Sequence, residues 1–488
     1  MHTPTDEQTR AADAFRSGHH LVLQAGAGTG KTSTLGLLAT GTRRRGRYLA
    51  FNKDIARDAA THFPRTVTCK TAHATAYAAL GHRYASRLDS PRRPAWKTGQ
   101  ALGITRPVHV GDHEISSRTL SHTVLRTVSR YCHSADRSLA CHHVPTLRGL
   151  DNASAHVELS QHVLPFALKA WSDLHDPDQG VVRFEHDHYL KMWALTEPRL
   201  EADFLFLDEA QDTNPVLETV FTAQRSHAQL VMVGDSAQAI YGWRGARDVM
   251  TGFDATPLTL TQSFRFGPLL AEEANRWLTL AEAPIRLTGT QAIATEVGPL
   301  QHPDAVLCRT NIGAMSEVMN LLAARRCVAL TRGGRQLAQL AVAARDLKDG
   351  RRTSHPELVL FSSWGELQDY ATCDPAGRDL QPFVDLVDTH GPDAILTAVD
   401  QLSDEAHADV IVSTAHTAKG REWPTVQIGN DFPPPKDTDE CDAQGHPVPE
   451  PVSDTDARLA YVAVTRARQH LDLGGLSWVT THTEPLRV

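Results

Sequence analysis

Short uninterrupted apolar runs, each ending at a polar or glycine-containing turn, recur along the chain in two blocks. The first block holds HLVLQA (20–25), YLAFN (48–52), DFLFLD (203–208), LVMVGD (230–235) and PLTLT (257–261). The second holds DAVLCRT (304–310), CVAL (327–330), DVIVST (409–414), PTVQIG (424–429) and HLDLGG (470–475). Such runs suit strands buried on both faces, as in a parallel sheet, because strict apolar–polar alternation belongs to strands with one wet face. Helical patterns separate the runs, so the pattern predicts an α/β protein with two parallel-sheet lobes. Two stretches interrupt them: 82–184, rich in His, Arg and Ser and mainly helical, and 336–405, also helical with a candidate strand at ELVLF (357–361). The expected layout is a first lobe from 1–81 and 185–261 with 82–184 inserted. A second lobe follows from 262–335 and 406–488, with 336–405 as its small insertion. The acidic, proline-rich segment 431–456 reads as a solvated loop before the final helix.

Composition narrows the class. A chain of 488 residues exceeds one compact domain, and 41% hydrophobic with 22% charged residues is ordinary for a protein that buries real cores. No apolar run approaches the roughly 20 residues that span a bilayer, so no membrane association is expected. The N-terminus, MHTPTDEQTRAADAF, lacks the layout of a signal peptide, and a cytoplasmic location is the expectation. Seven cysteines without a regular framework fit a reducing compartment. The formal charge of −8 argues against binding nucleic acid through overall charge and leaves room for a locally basic groove.

Chemistry concentrates first in AGAGTGKTS, residues Ala25, Gly26, Ala27, Gly28, Thr29, Gly30, Lys31, Thr32 and Ser33, after one expected strand and opening a helix. Glycines let the backbone wrap a phosphate, the amides and helix N-terminus supply partial positive charge, and Lys31 reaches the β- and γ-phosphates. The Thr32 hydroxyl suits Mg²⁺. Ala25 replaces the first glycine of the strict pattern. A second element, FLFLDEAQD (204–212), ends a buried strand on paired carboxylates: Asp208 to hold the magnesium, Glu209 to orient and deprotonate water.

Six segments in order resemble the motifs of superfamily 1 helicases of the UvrD/Rep type: AGAGTGKT, DEAQD, VGDSAQAIYGWRGA (233–246), QSFRFG (262–267), STAHTAKGREW (413–423) and RLAYVAVTRAR (458–468). The variants LAFNK (49–53), HDHYLKMW (186–193) and LTQSFRFG (260–267) are similar to the F-box DNA helicase branch, although the sequence shows no F-box segment. The resemblance implies two RecA-like lobes, ATP with Mg²⁺, and 3′→5′ movement on single-stranded DNA or DNA with a 3′ tail. It also implies work in repair, recombination or replication, beside replication or recombination proteins, as a monomer or weak self-associate. It further implies that Gln8 reads the adenine edge, Phe264 stacks on adenine in place of the usual tyrosine, and Gln238 senses the γ-phosphate. Arg265 and Arg466 reach the γ-phosphate; Glu422 contacts the ribose, with Gly420 in the same nucleotide-facing stretch. Arg421 stands where the family often has leucine, and RLAYVAVTRAR reads as an amphipathic helix. An RNA helicase and a translocase that strips proteins with little unwinding remain alternatives.

For the nucleic-acid track, Tyr241, Trp243 and Arg244 offer aromatic faces and a guanidinium, a sequence-tolerant platform for unpaired bases. Phe51, Asn52, Thr71 and His73, with Thr414 and His416 as the matching pair in the second block, are suitable backbone contacts. Thr71 is equally suited to cap the helix it precedes. Cys132, His133, Cys141, His142 and His143 lack the spacing of paired zinc ligands, and they and the HDH at 186–188 read as structural.

Overall fold

The computed structural model describes residues 3–50, 52–88, 90, 94–147, 150, 152–240, 248–332, 334–353, 355, 357–358, 361–373, 380–441 and 447–480. The chain divides into two compact units: Met1–Ala25 with Gly30–Leu260, and Gly26–Thr29 with Thr261–Val488. No described helix is long and apolar enough to cross a membrane.

The first unit is built on six parallel strands, β1 (Leu21–Ala25), β2 (Gly46–Ala50), β3 (Val67–Thr71), β4 (Phe204–Leu207), β5 (Gln229–Gly234) and β6 (Thr256–Leu260). Their order in the sheet is β3-β2-β4-β5-β1-β6. Successive side chains take opposite faces. Leu21, Leu23, Tyr48, Phe204, Phe206, Val231 and Val233 pack on one side, with the helices Asp6–Arg16, Lys31–Thr40 and Lys53–His62. Val22, Leu49, Leu205, Leu207, Leu230 and Met232 face the other side. Leu120, Val124, Val128, Leu159, Val163 and Phe184 of the interrupting segment belong to the same continuous core, the helix Ser117–His133 packing on the helices His186–Leu195 and Pro215–Thr222. The segment 82–184 is mainly helical, with one short antiparallel pair at Val108–Val110 and His113–Ile115.

The second unit repeats the plan with β7 (Glu296–Val297), β8 (Ala305–Cys308), β9 (Val328–Leu330), β10 (Val410–Thr414), β11 (Trp423–Ile428) and β12 (Ala467–Asp472). The pairings within this six-stranded sheet are parallel, in the order β7-β12-β11-β8-β10-β9. Val306, Cys308, Val328, Val410 and Val412 share a core with Leu337, Ala341, Leu367, Phe383 and Ile395 of the helices within 336–405. The helix Asn311–Ala323 lies on this face of the sheet, and the helices of the interrupting segment pack against it.

Three local expectations are corrected. ELVLF forms no strand among its described residues: Leu358 and Phe361 close turns, their amides donating to the His355 and Leu358 carbonyls. The acidic segment is more than loop, since Asp437–Cys441 and Pro447–Pro449 pair antiparallel. RLAYVAVTRAR is not one amphipathic helix: the helix Asp454–Val464 ends before Arg466, and Leu459 through Val464 are all buried.

Candidate functional site

In a parallel sheet every strand ends at the same edge, so the loops that follow them collect there. Asp208 and Asp235 follow β4 and β5, Asn52 follows β2, and Thr71 ends β3. The loop Gly26–Gly30 follows β1 and opens the helix Lys31–Thr40. Gly28 and Gly30 both have φ of +74°, a left-handed conformation that a side chain resists, which is why glycine stands at these turns.

Asp208, 4% exposed, is the centre of this edge. Its Oδ2 accepts from the Thr32 hydroxyl at 3.1 Å and from the Tyr48 hydroxyl at 2.6 Å. Its Oδ1 accepts from the Glu209 amide at 2.9 Å. Burial pushes the Asp208 carboxyl above its ordinary range, and the adjacent Glu209 charge adds to the shift. A site that penalises anionic charge in this way suits a divalent cation, which would neutralise it. The Thr32 hydroxyl and the Asp208 carboxylate are hard oxygen donors of the kind Mg²⁺ takes, and their proximity fits that ion. Glu209 lies beside them with φ of 52°, rare for a residue bearing a side chain, of the sort that clusters at functional sites. Its carboxylate is held by Gln211 Nε2 at 2.5 Å and lies 3.9 Å from Lys31 Nζ.

Tyr48 is a residue that sequence reading missed. It is fully buried in β2, and its hydroxyl is the one polar group of that side chain. The available signal was a phenol within an apolar strand, since a buried tyrosine hydroxyl usually finds a partner. Burial, followed by the charge of Asp208, pushes its ionisation far upward, so it stays a neutral donor.

Gln8 is engaged at both ends of its amide. Its Oε1 accepts from the Thr5 amide in a capping box, and its Nε2 donates to Thr34 Oγ1 at 3.1 Å. Gln238 Nε2 donates to Asp235 Oδ2 at 2.7 Å. Ser33 sits in the first turn of the helix Lys31–Thr40 and is exposed.

Among the expected nucleic-acid contacts, Asn52, Thr71 and Thr414 all cap helices, accepting from the amides of Ile55, Ala74 and Thr417. His416 lies in the short helix that Thr414 caps. His73 Nε2 lies 2.9 Å from Asp187 Oδ1, and His133 Nε2 lies 3.1 Å from the other oxygen. Burial opposes ionisation of Asp187, but the hydrogen bonds from His133 and His73 outweigh it and hold the carboxyl well below its usual range. A cavity of about 100 Å³ is lined by His73, Ala72, Leu190, Asp208, Asp212 and Thr213 among others, so His73 and Asp208 border the same space. Phe51, Tyr241, Trp243 and Arg244 lie outside the described residues.

The second unit brings three expected nucleotide contacts together where β11 and β12 begin. Arg265 Nε donates to Glu422 Oε2 at 2.6 Å, and its Nη1 to the Thr465 carbonyl at 2.9 Å. Arg466, 1% exposed, donates through Nε to the Val462 carbonyl and through Nη1 to the Arg421 carbonyl. Arg421 is paired with Glu405, and Gly420 has φ of +83°. Phe264 is 40% exposed, an aromatic face open to solvent. In the same unit, the Ala27 amide donates to the Tyr461 hydroxyl at 2.9 Å.

Of the cysteine–histidine cluster, Cys132 is buried and burial pushes its thiol upward, while His133 is turned to Asp187. His142 and His143 converge instead on Asp136.

Comparison with known proteins matches residues 172–252 to the UvrD/REP helicase N-terminal domain and 336–476 to the UvrD-like helicase C-terminal domain. F-box DNA helicase protein 1 of Schizosaccharomyces pombe is 29% identical over 96% of this chain and 57% of its own. F-box DNA helicase 1 of Gallus gallus is 28% identical over 96% of this chain and 48% of its own. The chain thus spans about half the length of these relatives. A solved complex of the arterivirus nonstructural protein 10 helicase with DNA aligns over 99% of this chain and 65% of that one. Its TM-score is 0.32 and its identity 10%, too low to support a fold argument.

Proposed function

The chain belongs to the UvrD/Rep-type helicase family, and from that premise we propose that it is an ATP-dependent motor moving 3′→5′ on single-stranded DNA and unwinding duplexes with a 3′ tail. The observation that carries this reading is the edge where Thr32, Lys31, Asp208 and Glu209 meet. Thr32 and Asp208 would hold the Mg²⁺ of Mg²⁺–ATP, and the ion's chemistry is charge neutralisation on the phosphates. Glu209 orients the attacking water and takes its proton. Lys31 offsets phosphate charge, and Arg265 and Arg466 serve the γ-phosphate as the family resemblance implies. Repair, recombination or replication is the field of action, with replication or recombination proteins as partners.

The polarity is tested by unwinding. Duplexes with a 3′ tail are expected to be separated at a rate well above that of otherwise identical duplexes with only a 5′ tail. Preference for the 5′ tail would overturn the direction, and equal action on RNA would overturn the DNA assignment.

Tyr48→Phe tests the geometry around Asp208. The ring volume is kept, so the fold is expected to survive. The lost hydrogen bond to a carboxylate is worth about 1.5–3 kcal/mol. DNA-stimulated ATPase is expected to fall about tenfold or more, with a higher Mg²⁺ concentration needed for half-maximal rate. An unchanged Mg²⁺ profile would show that the phenol has no part in positioning Asp208.

A further inference from the structure

We propose that Asp136, His142 and His143, in the segment that interrupts the first lobe, form a binding site for a divalent transition metal of the Zn²⁺ class. The ligand atoms, one from each residue, all lie within 4.8 Å of one another. Both Nε2 atoms point at the same carboxylate oxygen: His142 at 2.6 Å and His143 at 2.9 Å from Asp136 Oδ2. Two imidazoles and one carboxylate, with a fourth position open to water, are a donor set that Zn²⁺ accepts readily.

The surroundings resemble a built site more than a chance surface pair. The His143 side chain is 3% exposed and cannot swing away. Its Nδ1 accepts from the Ala140 amide at 3.0 Å and lies 3.1 Å from the Ala140 carbonyl, contacts that fix the ring with Nε2 facing Asp136. The backbone that carries Asp136 is pinned as well, because the buried Lys191 ammonium donates to the Ser134 carbonyl at 2.7 Å and the Asp136 carbonyl at 2.6 Å. Ser134 Oγ, 3.0 Å from His143 Nε2, is the remaining polar neighbour.

The adjustment required is small. Ligand atoms about 2.0–2.1 Å from a tetrahedral zinc stand about 3.3 Å apart, so the two nitrogen–oxygen distances must open by about half an ångström. The side chains of His142 and Asp136 are 65% and 44% exposed, free to move and open to entry from solvent. The ion would tie the turn between the helices Ser117–His133 and Ala153–Leu174 to a rigid anchor.

The test uses the untagged full chain, stripped with a chelator and held in excess Mg²⁺ without nucleotide. Zn²⁺ is titrated against a chromophoric chelator, and Co²⁺ is added separately to record its visible spectrum. Wild type is expected to take up one more equivalent of Zn²⁺ than His142→Asn or Asp136→Asn, to show the absorption of tetrahedral Co²⁺, and to melt higher with Zn²⁺. Either substitution is expected to weaken that equivalent at least about tenfold and to abolish the Zn²⁺-dependent rise in melting temperature. Both altered residues are partly exposed, so the metal-free proteins should melt as wild type does. Equal Zn²⁺ uptake by wild type and both folded variants, or no tetrahedral Co²⁺ signal in wild type, would overturn the site.

Discussion

Lys31→Ala is expected to lower ATP turnover by at least about 10²–10³-fold, the usual loss when one preorganised charge contact to the reacting group is removed. Lys31 begins the helix Lys31–Thr40, and its side chain is 14% exposed, with Glu209 3.9 Å away. Truncation therefore removes the cation beside the Glu209 carboxylate and leaves the Thr32–Asp208 pair in place. Fold and single-strand affinity should stay within a few-fold of wild type, because Asn52, Thr71 and His73 are held by their own caps and ion pair. Steady-state ATPase with and without DNA, beside a binding titration, is the measurement. Near-normal hydrolysis would remove the phosphate-loop assignment and with it the proposed motor.

Arg466→Ala is expected to have a comparable or larger effect, about 10³–10⁵ in turnover if its guanidinium serves the transition state as an arginine finger does. The structure adds a second consequence that the sequence did not suggest. Arg466 is buried, and its donors go to the Val462 and Arg421 carbonyls and to Thr465 Oγ1. Truncation strips partners from buried carbonyls and should cost about 1–3 kcal/mol of stability, so the variant must be assayed well below its own melting temperature. Arg466→Lys keeps the charge without the planar fork and should rescue little hydrolysis. Single-turnover rates at saturating ATP and DNA decide the matter. A folded alanine variant within a few-fold of wild type would assign Arg466 to stability alone.

The contrast at Arg466 shows where sequence reading stops. Apolar runs ending at glycine or aspartate locate β1, β4, β5 and most of the second sheet, since strands buried on both faces leave an unambiguous trace. Glycines, Lys31, Thr32 and the paired acids are legible because phosphate and magnesium chemistry admits few residue types. β3 was not legible: its residues VTCKT alternate, and two of its five side chains face solvent, so no continuous apolar run marks it. The pairing at 437–449 hides among acids and prolines that normally mark turns. The Tyr48–Asp208 and His73–Asp187 contacts join residues 160 and 114 positions apart, a distance over which local pattern carries no information. Gln8 is a subtler case: Thr5 and Gln8 have capping-box spacing, which sequence alone could have revealed, and the structure uses it.

The core that joins residues 82–184 to the first sheet bears on how damage spreads. A segment with its own closed core can melt or be excised while its host stays folded, whereas one whose core is continuous with its host's unfolds with it. Leu159 and Val163 share a core with Leu205 and Leu207, the strand residues just before Asp208. Slowly exchanging amides of the helix Ala153–Leu174 and of β4 should therefore be released in a single opening event. A lesion at Leu159, remote in sequence from every nucleotide contact, would then impair hydrolysis by raising the population of that open form.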